Sequence, residues 1–267
     1  MANSRLGLRT RPGVIRGYTE ATAIDRDVQS FLTASGITDT NQINAIIKLV
    51  ADLKEYNLWV KLNCIYPFIG GSSSSHAINL KSPGTNDLTF SGGWTHDANG
   101  ADPNGTTAFA NTTFTPVTLP LNSIHLSVYN REEFNGGVEM GSTTASNAGI
   151  DAQVVSRLSN INFSSLNALG VAGFSQSIST GLCIVNRTSS SGFSYFRNNV
   201  KTSVTLSSSS ANSVSIYIAA RNANGTAELY EPRQKAFSSI GQGLTDTEAS
   251  NLYTAVQAFQ TTLGRQV

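Results

Sequence analysis

Two hydrophobic periods divide the chain. Between residues 25 and 57 apolar positions recur every three to four residues. A short stretch from Asp25 to Ala34 closes at Gly36, and Thr38 and Asp39 then offer a helix N-cap, with Gln42 three residues after Asp39. A short side-chain acceptor at that point takes one of the unpaired amides of a first helical turn. Ile43, Ile46, Ile47, Val50 and Leu53 follow on one face, with Asn44, Lys48 and Asp52 opposite, which predicts an amphipathic helix. From Leu58 the period drops to two. Leu58, Val60 and Leu62 alternate with Trp59, Lys61 and Asn63, and similar alternation returns at 124–128, 182–184, 204–206 and 214–218. Turn clusters of Gly, Asn and Ser separate these runs. Many short strands, with no helical period between residues 58 and 243, predict a mainly antiparallel β-sandwich, because a parallel sheet needs crossover helices. A last helix is predicted from Thr245 and Glu248, in capping-box spacing, through Ala249, Leu252, Val256, Phe259 and Leu263 to Gly264.

Residues 1–24 follow neither period. Arg5, Arg9, Arg11 and Arg16 precede the first acid, Glu20, and Pro12–Gly13 interrupts them. This predicts an extended arm held by something else. Leu6, Leu8, Val14 and Ile15 lie among the arginines, which suits docking on protein better than neutralising nucleic-acid phosphates. The predicted organisation is an arm at 1–24, a helical anchor segment at 25–57 and a sandwich with its C-terminal helix at 58–267. A homo-oligomer is expected.

Composition narrows the function classes. Only 13% of the 267 residues are charged and 39% are hydrophobic, against about 25% charge in an average domain. The surface is therefore polar through Ser, Thr, Asn and Gly, and a disordered chain or a long exposed coiled coil is excluded. A net charge of +1 gives no electrostatic reason for a nucleic-acid or membrane partner. No apolar run reaches transmembrane length, and the N-terminus lacks the apolar core of a secretory signal. Cys64 and Cys183 are too few for a disulfide framework or a four-cysteine zinc site and are expected to be free, buried thiols.

The densest polar stretch is 94–105. Asp97, Asn99 and Asp102 are hard oxygen ligands of the kind calcium takes, although the EF-hand spacing is absent; no other cofactor is expected. Trp94, His96, Asn99 and Asn104 could contact a glycan. The same residues also suit Asx turns, in which the side chain bonds its own backbone. Hydrolysis of a glycoside needs two facing carboxylates. Glu132 and Glu133 are adjacent, Glu139 stands alone, and Glu228 and Glu231 have the look of loop charges, so no enzyme is expected. His76, His96 and His125 share no metal-ligand spacing and are expected at the surface or in turns.

The segment 193–253 adds a resemblance. FSYFRNNV, with Asn198–Asn199 at a turn, is followed by SVSIYIAARNANG, KAFSSIGQG and LTDTEASNLY. The order resembles the C-terminal half of laminin-G-like, concanavalin-type jelly rolls, with Leu244, Thr245, Asp246, Glu248, Leu252 and Tyr253 carrying the closing motif and Ala219 standing where that pattern has glycine. The stretches 31–71, 90–106 and 236–265 are similar to a group of phage virion proteins with this jelly roll. The resemblance implies a structural protein made in the host cytoplasm and built into a phage virion. Its partners would be other virion proteins, and it would display a decoration or adhesin domain. The alternative is a lectin-like module that recognises a host-surface glycan.

Overall fold

The computed structural model describes residues 24–146 and 148–267. The helices are α1 Arg26–Ser35, α2 Thr40–Glu55, α3 Ser73–Ala77 and α4 Asp246–Thr262. The strands are β1 Leu62–Tyr66, β2 Thr89–Ser91, β3 Trp94–Asp97, β4 Gly100–Pro103, β5 Phe109–Asn111, β6 Ile124–Asn130, β7 Met140–Thr143, β8 Ile150–Val154 and β9 Ile161–Asn162. They continue as β10 Ser165–Leu169, β11 Phe174–Ser175, β12 Gly181–Arg187, β13 Gly192–Arg197, β14 Val200–Thr205, β15 Tyr217–Ile218, β16 Arg221–Ala223, β17 Thr226–Glu228 and β18 Lys235–Gly241.

Two sheets form a sandwich. The first runs β14-β13-β12-β6-β18-β4-β3, with β1 also on β18; the second runs β10-β8-β7-β15-β5-β2, with the β16–β17 hairpin on β7. Every pairing is antiparallel except β16 with β7. The strand alternation sorts side chains between two cores. On β12, Cys183 and Val185 face the second sheet, whereas Leu182 and Ile184 face the helices. On β6, Leu126 and Val128 join the inner core and Tyr129 the helix side. The three central strands of the first sheet are therefore buried along their whole length.

The helix layer forms where the sequence places it. Asp39 caps α2, its carboxylate accepting from the Gln42 amide at 2.9 Å. Thr245 and Glu248 close a capping box on α4. The buried stripe of α2 is Ala45, Ile46, Leu49, Val50 and Leu53, with Ile43 and Ile47 at its margin. It packs with Val28 and Phe31 of α1 and Leu252, Val256 and Phe259 of α4 over Phe237, Ile184 and Phe196 of the first sheet. The apolar face of segment 25–57 is thus spent on its own sandwich.

Some expectations are corrected. Residues 59–61 form a 3-10 turn and not a strand. Leu58 and Leu62 are buried, but Val60 is 76% exposed, because spacing of four also fits one face of a helical turn. His76 and His125 are fully buried. The His125 ring spans the Gln242 carbonyl at 2.6 Å and the Ser239 hydroxyl at 3.2 Å, which satisfies both nitrogens beneath the helix layer. Cys64 and Cys183 are free and buried. Asn198–Asn199 makes the β13–β14 turn with both residues at positive φ. Ala219 has φ +66°, the left-handed backbone that glycine tolerates best. Arg5, Arg9, Arg11 and Arg16 lie outside the described residues.

Candidate functional site

The 94–105 stretch is a β-hairpin, and its period of two separates the candidate residues. Trp94 and His96 lie on one face. The Trp94 ring meets Phe90 edge-on at 5.1 Å, and its indole N–H donates to the Ser91 carbonyl at 3.0 Å. His96 packs against Phe90 and lies 3.0 Å from His76 through the two Nδ1 atoms. Burial lowers the pKa of both imidazoles, that of His76 to about 3. Thr95 pairs with Asp102 in register, and Asp97 with Gly100, so both carboxylates belong to the other face.

The turn chemistry of the hairpin occupies its acceptors. Asp97 Oδ1 accepts from the amides of Asn99 at 2.7 Å and Gly100 at 3.1 Å, and from the Gln234 side chain at 3.2 Å. Asn104 Oδ1 accepts from the amides of Thr106, Thr107 and Ala108. Burial raises the pKa of Asp102, helped by Glu132 and Asp97 and opposed by Lys235. Among the described residues no three His, Cys, Asp or Glu side chains gather around a point fit for a metal ion. Asp97 is thus tied to the hairpin turn, whereas Asp102 stands on β4 across from Thr95.

A groove of about 250 Å³ opens instead on the far face of the second sheet. Its floor comes from neighbouring strands. Gln153 of β8 and Arg221 of β16 both pair with Gly141 of β7. A Cβ on Gly141 would stand 2.5 Å from the Gln153 Cβ, so the missing side chain lets Arg221 Nη1 reach Gln153 Oε1 at 3.5 Å. Asp151 lies two residues back on the same face of β8, and burial raises its pKa. Arg221 is held in turn by Glu228, directly opposite across the β16–β17 hairpin, at 2.8 Å from Nε and 2.5 Å from Nη2. Val138, Val155, Leu158, Phe163, Val171 and Leu229 form the walls. Leu229 is 43% exposed at φ +53°, a backbone setting rare for a bulky residue and concentrated at functional sites.

None of Trp94, His96, Asp97, Asn99, Asp102 and Asn104 lines this groove. Its residues span 138 to 229, and no local motif joins them. One signal was present: in 150–154, Asp151 and Gln153 alternate with Ile150, Ala152 and Val154, the pattern of a strand with one polar face.

A second cluster of charge is sealed inside. Glu139, Glu231, Arg233 and Lys235 are all buried, which corrects the reading of Glu231 as a loop charge. Arg233 spans the two carboxylates, with Nη2 2.9 Å from Glu139 and Nε 2.6 Å from Glu231. Glu139 also accepts from the amide and hydroxyl of Ser156. The Lys235 ammonium contacts Glu231 and donates to Asn130 Oδ1 at 2.7 Å.

No protein-family model and no curated protein matches the sequence. Solved structures do match in fold. A mutant of Trypanosoma rangeli sialidase displaying trans-sialidase activity aligns with a TM-score of 0.50 and 10% identity, over 81% of this chain and 39% of the sialidase. Trypanosoma rangeli sialidase in complex with sialic acid aligns with a TM-score of 0.50 and 8% identity, over 79% and 38%. Domain 4 of a GH43 extracellular arabinanase from Geobacillus stearothermophilus, in complex with arabinotriose, aligns with a TM-score of 0.46 and 15% identity, over 72% of this chain and 98% of that domain. The chain spans well under half the length of the sialidases it matches. At these identities the likeness is one of architecture: the chain has a jelly-roll-like antiparallel β-sandwich fold.

Proposed function

We propose that this protein is a non-catalytic display module of a phage virion that recognises a saccharide in the groove of its second sheet. The observation that carries the reading is the groove itself. Its floor offers a carboxyl, an amide and a guanidinium from neighbouring strands, and its walls are apolar. Saccharides need this mixture, because their hydroxyls ask for fixed donors and acceptors while their C–H faces bury against apolar surface. The ion pair with Glu228 offsets the charge of Arg221, which favours a neutral sugar over an acidic one. Trypanosoma rangeli sialidase, which shares the architecture, binds sialic acid, an acidic sugar, so the preference for a neutral one rests on the groove alone. The virion setting rests on the three stretches of sequence resemblance.

Binding without turnover is supported by the state of the carboxylates. Glu228 is engaged by Arg221, and Glu139 and Glu231 are enclosed with Arg233 and Lys235, leaving Asp151 as the recessed acid in the groove. The test is a saccharide array on the full chain, followed by calorimetry on the hits. Wild-type protein is expected to bind at least one neutral oligosaccharide, with no change in the sugar after prolonged incubation. An array without hits, or product formation, would overturn the proposal.

A further inference from the structure

We propose that Lys235 and Asn130 are the two halves of an intramolecular isopeptide bond that joins β18 to β6 in the middle of the first sheet. The residues face one another in register, and Lys235 Nζ already lies 2.7 Å from Asn130 Oδ1, one bond from the carbon it would attack. Amide formation from these groups requires a neutral amine, a nearby acid–base group and exclusion of water. All three are present. Lys235 and Asn130 are fully buried, and burial pulls the lysine down to about 7, so a large share of the amine is uncharged near neutrality. The Glu231 carboxylate contacts the same nitrogen, and Arg233 fixes that carboxylate from its other oxygen at 2.6 Å. Glu139, paired with Arg233 at 2.9 Å, completes the enclosure.

The step balances without a further reactant. The Lys235 ammonium gives one proton to the Glu231 carboxylate. The free amine forms the Nζ–Cγ bond at Asn130, and the carbonyl oxygen takes the electron pair. Glu231 hands a proton to Nδ2 and recovers one from Nζ, the Cγ–Nδ2 bond breaks, and ammonia leaves. The product is a secondary amide beside a protonated Glu231, so the cluster keeps zero net charge. Asn130 Nδ2 points toward the Ser179 carbonyl at 3.5 Å, away from the attacking amine, as a leaving group should. The cross-link would close a loop of 105 residues between the strands that carry the helix layer. Tension applied to the module would then be borne by a covalent bond.

The test is the intact mass of the full chain, with tandem mass spectrometry of its tryptic peptides. A mass lower than the sequence requires by roughly 17 Da, one ammonia, is expected. It should come with a branched peptide linking the segment ending at Arg131 to the one beginning at Gln234. Lys235→Arg and Asn130→Ala are each expected to restore the full mass, and Glu231→Gln to slow the loss. A wild-type chain at its full mass would overturn the proposal whether or not the variants fold. So would the same deficit with no branched peptide, since an asparagine cyclising elsewhere also loses ammonia.

Discussion

The two sheets share one core and differ in what lies over their far faces. The first is covered by α1, α2 and α4, and β6, β12 and β18 are buried along their whole length. No residue of the second sheet belongs to that helix-facing core, and its far face carries a groove with a charged floor. Covering one face commits its side chains to apolar packing. The uncovered face instead keeps polar side chains in its groove, with Asp151 and Gln153 recessed there and the Asp151 carboxyl pKa raised by burial, so apolar packing and the proposed recognition fall on opposite sides of one sandwich.

The largest effects should fall on the covered side. Phe237→Ala empties a fully buried site and is expected to cost about 3–5 kcal/mol, whereas Phe163→Ala, on the groove wall, should cost less than about 1 kcal/mol. Urea unfolding of the two variants checks the contrast, and equal losses would break it. Acid comes next. Burial lowers the pKa of His125 to about 4 and of His76 to about 3. The unfolded chain therefore binds these protons more tightly, with a pKa near 6.5. Stability should be complete above about pH 6.5 and fall progressively toward pH 4. His125→Gln should flatten that slope, and an unchanged slope would remove His125 from the account.

On the open side the expected losses are in binding. Asp151→Asn and Arg221→Ala should each weaken saccharide affinity about tenfold or more, or roughly 1.4 kcal/mol, while the unfolding midpoint moves little. Calorimetry and thermal melts read the two quantities separately. The smallest effect sharpens the comparison most. Leu229→Gly relieves a left-handed backbone and should raise stability by about 0.5–1 kcal/mol, yet weaken binding by removing a wall. A variant that loses both stability and affinity would show that Leu229 serves packing alone.

The covered side was the legible one. Asp39, Gln42, Thr245 and Glu248 mark helix starts through local spacing, and the alternations at 124–128 and 182–184 mark buried strands. Ala219, the alanine standing where the jelly-roll pattern has glycine, proves to be left-handed, which that departure alone did not reveal. The groove was not legible, because Gln153 and Arg221 meet only through Gly141 of a third strand. The 94–105 stretch drew attention because its polar residues are close in sequence. Its backbone turns use Asp97 and Asn104, and its two faces divide the rest. Lys235 and Asn130 were hidden by a sequence separation of 105.

The most direct test of the groove is the change in backbone amide shifts of isotope-labelled full-length protein on titration with the saccharide that binds best. Perturbations centred on Asp151, Gln153, Phe163 and Arg221, with Trp94 and His96 unmoved, are the expected result. Shifts concentrated in the 94–105 hairpin, or scattered without a centre on the second sheet, would contradict the assignment of recognition to the uncovered face.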